Sequence, residues 1–140
     1  MNTNQIGRIT EAKVLAKLVE LGKHVLVPFS NVGRYDLLID NLDGTFVRIE
    51  CKTGRYRNGV IIFNTGSSGG YKKKELKYMN KDYSKDADFF GIWCRDTGGV
   101  YFVSVKECSI GKMWLRIDAP NNRSNKTKIK FAKDYVNLVL

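Results

Sequence analysis

The sequence has little from which a zinc site or a disulfide framework could be built. It holds one histidine, His24, and three cysteines, Cys51, Cys94 and Cys108, with no C-x-x-C pair among them. An odd set of isolated thiols argues against both uses, and Cys51 and Cys94, each inside an apolar run, read as small core residues. Long hydrophobic runs are absent: nothing approaches the ~18 apolar residues of a membrane-spanning helix. The opening MNTNQIGRITEAK carries no apolar secretory segment, so no membrane association is expected and a cytoplasmic location is. Acid is also short. There are 14 Asp and Glu against 24 Lys and Arg, a formal charge of +10. That excess suggests a polyanionic partner, nucleic acid before membrane, with a merely soluble basic protein as the plain alternative. With 140 residues, a single domain over 1–140 with a proper core is expected, and two domains are not.

What the chain does have is concentrated between Tyr35 and Thr53, YDLLIDNLDGTFVRIECKT. Asn41-Leu42-Asp43-Gly44 is a turn signal between two runs rich in Leu, Ile, Val and Phe, which predicts a β-hairpin with a four-residue loop. Alternation along the second strand points Glu50 and Lys52 one way and Ile49 and Cys51 the other, into the core. The hairpin carries Asp36 to the same end as Glu50. Two carboxylates and a lysine buried there without partners would cost several kcal/mol. A divalent cation would relieve that cost. The plain alternative is a Glu-x-Lys pair on a solvent face.

Elsewhere the pattern is that of a mixed α/β chain. Ile9, Ala12, Leu15, Ala16, Leu18 and Val19 recur at helical steps from Gln5 to Leu21, and Gly22 reads as the stop. Glu11 shares that stripe, which calls for a partner: either a nearby Lys or Arg, or a site it helps to build. His24–Phe29 reads as a first strand ending near Pro28, Val60–Asn64 as another, and Asp88–Cys94 with Val100–Val105 as a hairpin. A short strand is expected around Trp114–Ile117, whereas IKFAKDYVNLVL fits helix or strand equally. The glycine-rich segment 65–70 lacks the spacing of a phosphate-binding P-loop. After it, Lys72, Lys73, Lys74, Lys77 and Lys81 surround Leu76, Tyr78 and Met79, as in a short helix with a basic face. Such a face is either solvated or suited to a phosphate backbone.

The order Glu11, Asp36, Glu50-x-Lys52 resembles the PD-(D/E)XK nuclease superfamily, with Tyr35 standing where that family carries proline. EAKVLAKLVELG, VLVPFSNVGRYDLLID, ECKTG, DADFFGIWC and LRIDAPNN…IKFAKDY look most like a branch of small single-domain, intron-encoded homing endonucleases. The chain is similar also to archaeal Holliday-junction resolvases. The resemblance implies a restriction-endonuclease-like α/β fold, a central mixed sheet with flanking helices in the order α-β-β-β-α-β. It implies a catalytic set of Glu11, Asp36, Glu50 and Lys52, with Mg²⁺, replaceable by Mn²⁺, held by Asp36, Glu50 and the carbonyl of Cys51. Lys52 would stabilise charge or help to deprotonate water, and Glu11 would bind a second ion or orient water. Phosphate contacts would fall to Arg34, Arg55, Arg57 and the Lys72–Lys81 set. The expected function is cleavage of DNA at specific sites. The alternatives are a resolvase reading branched DNA and a non-catalytic nucleic-acid-binding module. Cutting both strands would require at least a homodimer, or a homotetramer.

Overall fold

The structure, a computed structural model, describes residues 1–30, 35–66, 86–109, 111–118 and 129–138. Helix α1 spans Thr3–Glu20. It starts two residues before the apolar pattern does, because Asn2 and Gln5 form a reciprocal capping box: Gln5 N donates to Asn2 Oδ1 at 2.9 Å, and Asn2 N donates to Gln5 Oε1 at 3.1 Å. At the other end, Gly22 N donates to Val19 O and Lys23 N to Leu18 O, which closes the last turn. The buried face is Thr10, Val14 and Leu18, narrower than the sequence pattern suggests. Val19, expected on the buried stripe, is 58 % exposed, and Glu11 lies at the edge of that face rather than under it.

Among the described residues seven strands follow: β1 (His24–Leu26), β2 (Leu37–Asp40), β3 (Phe46–Arg57), β4 (Val60–Asn64), β5 (Phe89–Cys94), β6 (Val100–Ser104) and β7 (Lys112–Arg116). β1 is shorter than expected. It stops before Pro28, which has no N–H for the ladder, and Phe29 stands fully in solvent. β1, β2 and β3 are antiparallel neighbours; β5 runs parallel to β3, and β6 pairs antiparallel with β5. This mixed sheet with α1 against it is the restriction-endonuclease-like fold. β3 is the spine. Its first half holds β2 and β5, and its last residues pair with β4, which pairs with β7.

The β2–β3 turn covers residues 41–45, one residue more than the sequence suggests. Asn41 N donates to Thr45 O, while Thr45 N and Oγ1 both donate to Asp43 Oδ1. β3 runs five residues past Lys52. The signal for that was present but unread: Asn58-Gly59, with φ of 52° and 83°, is the two-residue turn that matches the twist of a tight hairpin. Two apolar layers result. Val14 and Leu18 of α1 pack with Leu37, Ile39, Ile49, Trp93 and Phe102 on one face. Ile61, Phe63, Phe90, Ile92, Val103 and Leu115 form the other. The end of the chain is neither long helix nor strand: Phe131 makes an isolated bridge to Arg116, and Ala132–Tyr135 is one 3-10 turn.

Candidate active site

Glu11 and Asp36 meet beside the start of β2, and Glu50 and Lys52 lie on the neighbouring β3. Leu37 is the last residue of β2 paired with β3, opposite Ile49, and Asp36 N still donates to Ile49 O at 2.9 Å. The next amide on that side of β3, Cys51 N, lies past the end of β2, and the Asp36 carboxylate accepts from it at 2.7 Å. A backbone N–H left without a partner there would be costly, so the fold itself fixes Asp36. Glu11 approaches from α1 and shares a hydrogen bond with Asp36. Loss of hydration beside the sheet, then the charge of Asp36 and that hydrogen bond, raise the Glu11 pKa above its ordinary value.

Glu50 and Lys52 sit side by side on β3, Lys52 Nζ lying 3.7 Å from Glu50 Oε1. Both side chains are largely buried, 17 % and 11 % exposed, which excludes the solvent-face reading of this pair. Lys52 also donates to Gly66 O at 2.8 Å and lies 5.8 Å from the centre of the Phe90 ring. The glycine-rich segment after β4 thus begins against the lysine. Cys51 links the two pairs along the chain: its N donates to Asp36, and Glu50 and Lys52 flank it on β3 with their side chains on the opposite face from its own. Its thiol pKa is pushed well up by burial, then by Asp36, Glu11 and Glu50, with Lys52 opposing. Its side chain packs against the α1 layer.

Two supports were not foreseen. Thr10, on the buried face of α1, is 1 % exposed, and its Oγ1 lies 2.6 Å from Thr53 Oγ1. Thr10 spends its own proton on Ile6 O at 2.9 Å, so Thr53 is the donor. This pair holds the helix bearing Glu11 to the strand bearing Glu50 and Lys52. A threonine at the i, i+4, i+8 spacing of Val14 and Leu18 was the available clue. Arg48 forms the second support: its backbone N donates to Asp88 Oδ2 at 2.8 Å, and its guanidinium meets both carboxylate oxygens at 3.2 and 3.1 Å. That clamp fixes β3 to the start of β5.

Asp36, Glu50 and the Cys51 carbonyl are hard oxygen donors of the kind Mg²⁺ takes, few in number and leaving room for water. Among the described residues no three Asp, Glu, His or Cys side chains form a cage by themselves, and a set of two carboxylates and a carbonyl requires none. The charge of Asp36 beside Glu11, which helps to raise the Glu11 pKa, is one that a cation would offset. Arg55 and Arg57 are exposed near the far end of β3, away from this cluster along the strand. Arg34, Lys72, Lys73, Lys74, Lys77 and Lys81 lie outside the described residues, as does the expected basic helix.

A profile of the PD-(D/E)XK endonuclease family matches residues 1–138, and the chain belongs to that family. No curated protein sequence matches it significantly. Among solved structures, it is similar to a bacterial homing endonuclease, I-Ssp6803I, at 15 % identity with a TM-score of 0.72, covering 96 % of this chain and 88 % of that one. A weaker likeness, with a TM-score of 0.47 and 14 % identity, is to Hjc of Archaeoglobus fulgidus, a Holliday junction resolvase from an archaeal hyperthermophile; it covers 79 % of this chain and 91 % of that one. At these identities the first likeness shows the fold, and the second carries no argument.

Proposed function

We propose that the chain is a Mg²⁺-dependent DNA endonuclease that cuts at specific sites, with Glu11, Asp36, Glu50 and Lys52 as its catalytic set. The observation that supports this reading is that Asp36 is fixed on the backbone N of Cys51 with Glu11 beside it, while Glu50 and Lys52, paired with each other, flank Cys51 on β3. Asp36, Glu50 and the Cys51 carbonyl would hold the ion, Mn²⁺ being able to replace Mg²⁺. When bound, such an ion supplies positive charge against the negative charge that builds on the phosphate during hydrolysis.

The protein's own groups do the rest. Glu50 and Gly66 O hold the Lys52 ammonium in one place, which favours a role as a fixed cation facing the phosphate over that of a mobile base. Glu11, beside Asp36, would orient the attacking water or bind a second ion. Arg34, Arg55, Arg57, Lys72, Lys73, Lys74, Lys77 and Lys81 supply contacts to DNA phosphates, in keeping with the net charge of +10. One such site per chain requires a homodimer or homotetramer for a double-strand cut.

The test compares plasmid, linear duplex and a four-way junction as substrates, each with Mg²⁺ and with excess chelator. Cuts at defined positions in duplex, abolished by the chelator, are expected. Selective cutting of the junction would move the protein to resolvase chemistry. Full activity in the chelator would refute the metal assignment.

A further inference from the structure

Beyond Lys52, β3 joins β4 and β7 in a three-stranded antiparallel sheet with one face packed and one face open among the described residues. The register gives three rows on the open face: Arg55–Ile62–Trp114, Arg57–Val60–Arg116 and Asn64–Lys112. The alternate residues Ile61, Phe63, Met113 and Leu115 are all buried in the core beneath. On the open face the outer strands carry the cations, Arg55 and Arg57 on β3 and Lys112 and Arg116 on β7. The middle strand carries Val60, Ile62 and Asn64. Trp114 is 62 % exposed, although a tryptophan has more apolar surface to hide than any other residue. No acid stands in these rows. Near the β3–β4 tip, Asp96 accepts from the backbone N of Tyr56, and Asp118 accepts from the Tyr56 hydroxyl beside the Arg116 guanidinium. Along β7 the face is concave, a hollow of about 770 Å³ lined by Val60, Lys112, Trp114, Arg116 and Lys130. Among the described residues its one acid, Glu107, is paired with Lys130 at 3.7 Å.

We propose that this open face is where the protein reads duplex DNA, its outer cations gripping the two phosphate backbones and its middle strand facing the base edges. The proposal rests on the endonuclease reading and deepens it. Two strand steps of ~4.8 Å place the outer strands about 10 Å apart. The major groove is ~12 Å wide between its backbones. Cations on both flanks with an apolar and amide centre therefore match a groove with phosphates at its lips and thymine methyls and adenine edges on its floor. Asn64, exposed on the middle strand, carries the donor and acceptor that pair with the adenine edge, and it is the residue assigned to base choice.

The experiment measures binding to a labelled random-sequence duplex pool in Ca²⁺, at several salt concentrations, for wild type, R55A/R57A, K112A/R116A, N64A and W114A. All these side chains are exposed or at the rim, and circular dichroism checks that each variant folds. Each double variant is expected to reduce the slope of log affinity against log salt by about 2, near 0.9 per lost phosphate contact. N64A is expected to keep the slope and to lose about tenfold discrimination at one base position among sequences selected from the pool. Emission from Trp114 is expected to change on DNA binding and to be absent from W114A, whereas Trp93 is buried and should not respond. Unchanged slopes in both double variants would overturn the proposal alone. So would a W114A protein that falls to a smaller oligomer and binds DNA as before, since the face would then belong to a second copy of the chain. A wild type that binds no duplex would overturn this proposal and the endonuclease reading together.

Discussion

At the scale of single residues, Glu11 is the group whose behaviour reports most on the site. Its raised pKa means that the folded protein holds the Glu11 proton more tightly than the unfolded chain does. Stability from this group is therefore complete below the ordinary glutamate range and is lost as pH rises through the folded value. At neutral pH, without metal, ionised Glu11 works against Asp36. Replacing Glu11→Gln should then stabilise the fold in chelator at pH 7, by less than about 1 kcal/mol because solvent screens the pair, read as a higher melting temperature, and the gain should vanish near pH 4. Adding Ca²⁺ should stabilise wild type more than this variant, as binding to the folded state alone must. A variant less stable than wild type at pH 7 in chelator would show that Glu11 is held by attraction instead. Thr10 is the other informative residue. Thr10→Val leaves Thr53 without its acceptor, at an expected cost of about 1–3 kcal/mol in denaturant unfolding, and should lower kcat more than it weakens DNA binding.

At the scale of elements, the packing of α1 on the sheet decides whether Glu11 reaches Asp36. Gly91 on β5 permits it: a Cβ there would stand 2.6 Å from Val14 Cγ1 and 3.2 Å from Ile49 Cγ2. Gly91→Ala should cost about 1–3 kcal/mol by pushing helix from sheet, read as a lower denaturation midpoint together with reduced cleavage. The Arg48–Asp88 clamp gives a pH signature of opposite sign to Glu11. Burial raises the Asp88 pKa, but the side-chain and backbone hydrogen bonds from Arg48 outweigh it and the net shift is downward. Its contribution is present above the ordinary aspartate range and is lost as pH falls through the lower, folded value. Asp88→Asn should accordingly melt earlier than wild type at neutral pH, with the two curves converging below about pH 4.

Much of this was legible in the sequence, for definable reasons. The Asn41–Gly44 turn and the alternation to Glu50 and Lys52 are local patterns, and the structure keeps both. α1 was legible as a helix, but its start lay with a capping box outside the apolar repeat, and its buried face passed through Thr10 rather than Glu11. The extension of β3 to Arg57 was hidden because Thr53–Arg57 alternates weakly; only Asn58-Gly59 betrayed the hairpin. Long-range partners were not legible at all. Nothing local links Lys52 to Gly66, Thr53 to Thr10 or Arg48 to Asp88, and those are the contacts that build the candidate site.

For the whole molecule, the account is that a basic chain of this family brings one acidic pocket to duplex DNA and cuts there. The most direct measurement is plasmid cleavage in Mg²⁺ by wild type, Asp36→Asn, Glu50→Gln and Lys52→Ala, with DNA binding by the same proteins followed in Ca²⁺. Ca²⁺, with its looser geometry, should allow binding without cutting. Cleavage is expected to disappear in all three variants while affinity stays within about tenfold, the main grip on phosphates lying elsewhere. Cleavage that survives in all three would contradict the account and place the chemistry at another site.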